Sequence, residues 1–134
     1  MVVTAEHSIQ TNSLPLLGYI AAGEPIEALE VPETINVPPI FIKPDNFVLQ
    51  VTGDSMIDDN IADGDYIIVQ KTAHAEQGQI IVALINGTAT LKRYYKYANR
   101  IELHPRNPEY PIIKVKAQDD FQINGLVLYS FRNY

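Results

Sequence analysis

The apolar positions of this chain fall in short runs, not in helical stripes. Phe47-Val48-Leu49-Gln50-Val51 reads as a strand ending at Gly53, and Tyr66-Ile67-Ile68-Val69 as a strand after the turn Asp63-Gly64-Asp65. Glu76-Gln77-Gly78 marks another turn, before Gln79–Ile85. Asn86-Gly87 is the strongest hairpin signal, because both central residues of a type I′ turn need positive φ, and Thr88–Tyr97 is its returning strand. Arg100–Leu103, Ile112–Val115 and Phe121–Phe131 complete the set. Turns recurring about every 8–12 residues predict a mainly β fold, a barrel or sandwich of short strands. Helix is expected only as a single turn within Ser55–Asn60. Leu14–Pro44 carries Pro15, Pro25, Pro32, Pro38, Pro39 and Pro44. Proline removes a ladder donor, so this stretch predicts loops with short edge strands. Met1–Ser13 predicts a linker or tail, leaving 14–134 as the folded domain.

Composition narrows the function. A length of 134 residues with 46% hydrophobic and 19% charged residues suits one domain that buries its own core. The net charge of −6 makes a poor grip on phosphates, so direct nucleic-acid binding is not expected. Cysteine is absent, which excludes disulfides, thiolate metal sites and cysteine nucleophiles, and fits a reducing compartment. No apolar run approaches the roughly 20 residues of a membrane span. Met1–Ser13 lacks the basic and apolar regions of a signal peptide. A soluble, cytoplasmic domain is expected, with no membrane partner. His7, His74 and His104 are scattered, and no cofactor or metal is expected. Asp58, Asp59, Asp63 and Asp65 fail as a calcium loop, since Ile61 and Gln70 occupy ligand positions counted from Asp59. They predict a solvated acidic turn.

Two residues keep a chemical reading open. Ser55 lies in Gly53-Asp54-Ser55-Met56-Ile57, which lacks the second glycine of a nucleophile elbow. After a strand and a glycine its Oγ can stand exposed as a nucleophile; equally, it can cap a helix. Lys92 lies mid-strand, with Thr90 and Tyr94 on its face and Leu91 and Arg93 on the other. It is either solvent-facing or partly desolvated, and burial would lower its pKa and let it act as a base. Without cysteine or a Ser-His-Asp set, a Ser–Lys dyad is the nucleophile arrangement on offer.

Val51-Thr52-Gly53-Asp54-Ser55-Met56, Asp63-Gly64-Asp65, Gly78-Gln79-Ile80-Ile81-Val82-Ala83 and Thr90-Leu91-Lys92-Arg93 resemble the catalytic domain of LexA-type repressors. Upstream, Pro15-Leu16-Leu17-Gly18-Tyr19-Ile20-Ala21-Ala22-Gly23-Glu24-Pro25 resembles their self-cleavage segment. Glu102-Leu103-His104-Pro105-Arg106-Asn107-Pro108 and Gly125-Leu126-Val127 also fit. The resemblance spans Leu14–Arg132 and implies the mainly β fold shared with type I signal peptidases. It implies Ser55 as nucleophile, Lys92 as general base and Ala22–Gly23 as the scissile bond. Asp54 and Met56, beside Ser55, would support the oxyanion. It also implies a homodimer pairing through the C-terminal strand region, and intramolecular cleavage stimulated by RecA filaments on single-stranded DNA. That cleavage would inactivate a repressor of the SOS response to DNA damage. DNA would be bound only through an N-terminal winged-helix domain, which thirteen residues before Leu14 cannot form.

The chemistry agrees with that assignment. A deprotonated Lys92 would take the Ser55 proton, and Gly23 has no Cβ to obstruct close approach. Tethering makes the attack unimolecular. Two other readings share these residues. One is a UmuD-like subunit of a damage-tolerance polymerase, although such subunits usually cut at Cys-Gly. The other is a catalytically silent dimerisation module. Phe121–Tyr129 reads as core on one face and interface on the other, or as an interior strand.

Overall fold

The structure is a computed structural model and describes residues 12–22 and 24–132. Nine strands appear among them: β1 (Ser13–Ala21), β2 (Glu27–Asn36), β3 (Asn46–Thr52), β4 (Tyr66–Lys71), β5 (Ile80–Ile85), β6 (Thr88–Lys96), β7 (Ile101–His104), β8 (Ile113–Val115) and β9 (Phe121–Phe131). They form one sheet in the order β2-β1-β3-β4-β9-β5-β6-β7-β8. The pair β1–β3 is parallel, and every other neighbouring pair is antiparallel. Helix among the described residues is confined to single 3-10 turns at Pro39–Phe41 and Ile57–Asp59, the second inside the stretch expected to hold one. The mainly β expectation holds.

The sheet curls, and the curl makes the site. Ile20 of β1, Leu49 and Val51 of β3, Ile67 and Val69 of β4, Val82 of β5, and Ala89 and Leu91 of β6 share one core with Met56 and Ile61. Strands β1 and β6 stand five places apart in the sheet, so a common core requires the sheet to close toward itself. Right-handed strand twist favours that closure. Val48 and Ile68, on the opposite faces of β3 and β4, pack in a second cluster with Leu14 and Leu16. Burial on both faces explains why β3 and β4 read as continuous apolar runs.

Asn86 and Gly87 have φ of 52° and 87°, as a type I′ turn requires, and β5 and β6 pair without a register shift. Gly125 marks where β9 changes partner: residues 121–126 pair with β5 and 125–131 with β4. A Cβ there would collide with the Val69 side chain, so the crossing needs glycine. Each half of β9 therefore lacks a strand partner on one edge among the described residues.

The Leu14–Pro44 expectation needs correction. β1 is nine residues long and lies between β2 and β3, while β2 is a ten-residue edge strand. No residue of β2 is buried, so it carries no apolar alternation to announce it, and Pro32 is tolerated because one edge has no ladder to interrupt. Ser13, assigned to the tail, begins β1. Asn12, also assigned to the tail, accepts the Val37 N–H at 2.9 Å, and residues 1–11, with His7 among them, lie outside the described residues.

Candidate active site

Strand β3 delivers the chain to Gly53, whose φ of 95° turns it sharply toward Ser55. The turn is braced by the Gly53 N–H, which donates to Asp63 Oδ1 at 2.7 Å. Met56 is buried in the main core and anchors the loop immediately after Ser55. The 3-10 turn that follows is capped at Met56 with no side-chain hydrogen bond, so Ser55 does not serve as its cap.

Strand β6 brings Lys92 to the same place. Lys92 is only 2% exposed, and its Nζ lies 3.2 Å from Ser55 Oγ, 2.8 Å from Thr90 Oγ1 and 3.1 Å from the Leu91 carbonyl oxygen. Burial lowers the Lys92 pKa to about 8, because the charged ammonium loses its hydration. A neutral amine has two N–H donors and one lone pair. Thr90 and Leu91 can accept the two protons, which leaves the lone pair for the Ser55 hydroxyl. Thr90 was legible only as a neighbour on the Lys92 face, and its hydrogen bond to Nζ was not foreseen.

A second loop holds the serine loop from outside. Arg106 donates its backbone N–H to the Ser55 carbonyl at 2.8 Å and accepts the Asp58 N–H at 2.7 Å. Asn107 donates its side-chain amide to the Asp54 carbonyl at 3.0 Å, and Tyr110 donates its hydroxyl to Asp54 Oδ1 at 2.7 Å. Asp54 thus faces Tyr110 with its carboxylate. Asp59 ties the serine loop to the lysine strand through Arg93 at 2.8 Å, with Arg106 at 3.4 Å on its other oxygen. Nothing in the spacing of the sequence pointed to these contacts, which join residues far apart in the chain.

The acidic turn is therefore not simply solvated. Asp65 is buried, accepting the Ala62 N–H and pairing with Arg132, and Asp59 is mostly buried between two guanidiniums. Asp58 and Asp63 are exposed, as expected. His104 pairs with Glu102 along β7 and His74 is exposed; neither is among the hydrogen-bond partners of Ser55 or Lys92.

The residues before the expected scissile bond lie beside the serine. Ala21 pairs with Thr52 in the parallel β1–β3 ladder, so β1 and the strand leading to Ser55 end side by side. Ala21 and Ala22 line a cleft of about 170 Å³ with Thr52, Gly53, Asp54, Ser55 and Tyr110. On the far side, Glu24 bridges β6 by accepting the Ala89 N–H at 2.7 Å. The segment is thus held against β3 on one side and β6 on the other. Gly23 lies outside the described residues.

A curled β sheet that buries a lysine against a serine, with a strand end in the adjoining cleft, is an arrangement able to present an activated hydroxyl to a peptide bond. The Peptidase S24-like family model matches residues 15–128, and the chain belongs to that family. It is 52% identical to the LexA repressor of Syntrophotalea carbinolica over 122 residues, covering 90% of this chain and 60% of the relative. It is 46% identical to the LexA repressor of Syntrophobacter fumaroxidans, covering 91% and 59%, and 43% identical to that of Koribacter versatilis, covering 98% and 63%. The chain thus spans about 60% of the length of these curated relatives. Among the described residues, no helix is long and apolar enough to cross a membrane.

Proposed function

We propose that this chain is the self-cleaving and dimerisation domain, residues 14–134, of a LexA-type repressor, and that it cuts its own Ala22–Gly23 bond. The observation that carries the reading is a buried lysine 3.2 Å from Ser55 Oγ, beside a cleft lined by Ala21 and Ala22. Neutral Lys92 takes the Ser55 hydroxyl proton, and Oγ attacks the Ala22 carbonyl carbon. Backbone N–H groups at Ser55 and an adjacent residue, Asp54 or Met56, stabilise the oxyanion as it forms. The C–N bond breaks, and Lys92 returns its proton to the departing Gly23 amine. Water then attacks the Ser55 ester as Lys92 accepts its proton; the acyl C–Oγ bond breaks, Lys92 passes that proton to Ser55 Oγ, and the Ala22 carboxyl group is freed. Thr90 orients the amine throughout. No cofactor enters any step.

The cut separates whatever precedes Ala22 from the dimerising domain and so inactivates a cytoplasmic bacterial repressor. Its partners in this reading are a second copy, meeting through the open edge of β9, and a RecA filament on single-stranded DNA that stimulates cleavage. DNA itself is the partner of an N-terminal domain. The names of the relatives favour the repressor over a polymerase subunit. The three contacts of Lys92 favour an active dyad over a silent module.

Intact mass, followed over time from pH 6 to 10, tests this. The expected products are residues 1–22 and 23–134, formed at a rate that climbs through about pH 8, where Lys92 loses its proton, and then levels. A flat rate across that range, or cleavage that survives Ser55→Ala, overturns the dyad.

A further inference from the structure

One carboxylate joins the three segments that build the dyad. Asp59 closes the 3-10 turn Ile57–Asp59, four residues after Ser55, and its N–H donates to the Met56 carbonyl at 3.0 Å. Arg93 follows Lys92 on β6. Arg106 belongs to the second loop, whose N–H at that residue holds the Ser55 carbonyl. The two oxygens of Asp59 are divided between these arginines. Oδ2 accepts from Arg93 Nε at 2.8 Å, and Oδ1 faces Arg106 Nε at 3.4 Å. The Asp59 side chain is only 11% exposed, so the guanidiniums replace most of its hydration. Arg93 is itself tied to the frame, since its Nη1 donates to the Gly78 carbonyl in the turn before β5. The guanidinium is thus fixed to the frame, and Asp59 fixes the serine loop to the guanidinium.

The contact this clamp spans has little slack. Lys92 Nζ lies 3.2 Å from Ser55 Oγ, at the upper end of the reach for proton transfer. A small drift of the serine loop away from β6 would break it. Asp59 is not among the hydrogen-bond partners of Lys92, so its influence on the reaction runs through Arg93 and Arg106. Ion pairs with half-exposed partners add little to global stability, so the weight of this clamp falls on geometry.

We propose that Asp59 is a positioning residue for the dyad: by holding Arg93 and Arg106 on its two oxygens, it sets the distance from Ser55 Oγ to Lys92 Nζ. This rests on the Ser–Lys self-cleavage reading and adds a residue to it.

The test uses the full chain at pH 9 with two rates, both read by intact mass. One is self-cleavage; the other is labelling of Ser55 by a phosphonofluoridate, which needs the dyad but not the arm. Asp59→Asn keeps the size and removes the charge. It is expected to slow both rates about 10-fold while the urea midpoint stays close to the parent's. Asp59→Glu restores the carboxylate and is expected to return both rates to within about threefold of the parent. Arg93→Gln should cost as much as Asp59→Asn, and the double variant no more than about twofold beyond either single change, because both remove one contact. Arg106→Gln should give a smaller loss in the same direction, about threefold, and serves if Asp59→Asn does not fold. Single losses that multiply in the double variant, no recovery with glutamate, or labelling at the parent rate while cleavage falls would each overturn the assignment and leave the dyad standing. A parent chain that neither cuts nor labels overturns the dyad and this inference together.

Discussion

Two hairpins meet at the Ser55 cleft, and they are built to different standards. β5–β6 pairs without interruption from Ile80↔Arg93 to Ile85↔Thr88, and Ala89, Thr90, Leu91 and Lys92 are buried in succession. β1–β2 breaks register between Leu16 and Gly18, and β2 buries none of its residues. In the proposed reaction the first hairpin carries the base and the second carries the segment to be cut. A base must be fixed within a fraction of an ångström to take a proton. A substrate arm need only be deliverable, and an edge hairpin packed on one side opens at lower free energy than a strand buried on both. In a self-cleaving chain, control then lies in the arm and chemistry in the frame.

Removing the chemistry should have the largest effect. Ser55→Ala or Lys92→Ala is expected to slow self-cleavage at least about 1,000-fold by intact mass, with the β signature in circular dichroism unchanged. Cleavage within tenfold of the parent in either variant would erase the division of labour.

Next comes the cost of the base itself. Lys92 titrates near 8 when folded and near its ordinary 10.5 when unfolded, so between those values the unfolded chain binds more protons and stability rises with pH. Below about 8 the full penalty of burying the ammonium is present; above 10.5 it is gone. Lys92→Met should therefore gain up to about 3 kcal/mol at pH 7 in urea unfolding, and that gain should vanish by pH 10.5. A gain independent of pH would mean that packing, not charge, sets it.

Two glycines then separate arm from frame. A Cβ at Gly18 would collide with the Glu27 carbonyl of β2, and one at Gly125 with Val69 in the frame. Each Gly→Ala change is expected to cost about 1–3 kcal/mol. Gly125→Ala should appear as lost global stability. Gly18→Ala should appear mainly as faster amide exchange in β2 and slower cleavage. Equal global losses from both would show that arm and frame unfold as one. The smallest effect belongs to Gly87→Ala, about 1–2 kcal/mol from the φ of 87°, with self-cleavage at high pH within about twofold of the parent.

Legibility followed local rules. The Asn86-Gly87 hairpin, the strands from Phe47 onward and the single turn after Ser55 were readable because backbone conformation and apolar runs encode them nearby. β1 and β2 were misread because prolines argue against strands, and an exposed edge strand shows no alternation. The Asp59 and Asp65 ion pairs were missed because Arg93, Arg106 and Arg132 come from distant segments. Asp54 and Ser55 were legible as a motif, whereas Asn107 and Tyr110, which hold that motif, were legible only as part of a family resemblance or not at all.

By itself, then, the sequence determined the β class, its turns and the two residue types able to form a dyad without cysteine. Only the tertiary structure decided that Lys92 is buried and not on the surface, because strand alternation gives a face and says nothing of what covers it. Only the curl of the sheet set Lys92 against Ser55 and laid Ala21 and Ala22 beside them. Those distances depend on β1 and β6 closing across a shared core, and no local spacing carries that information.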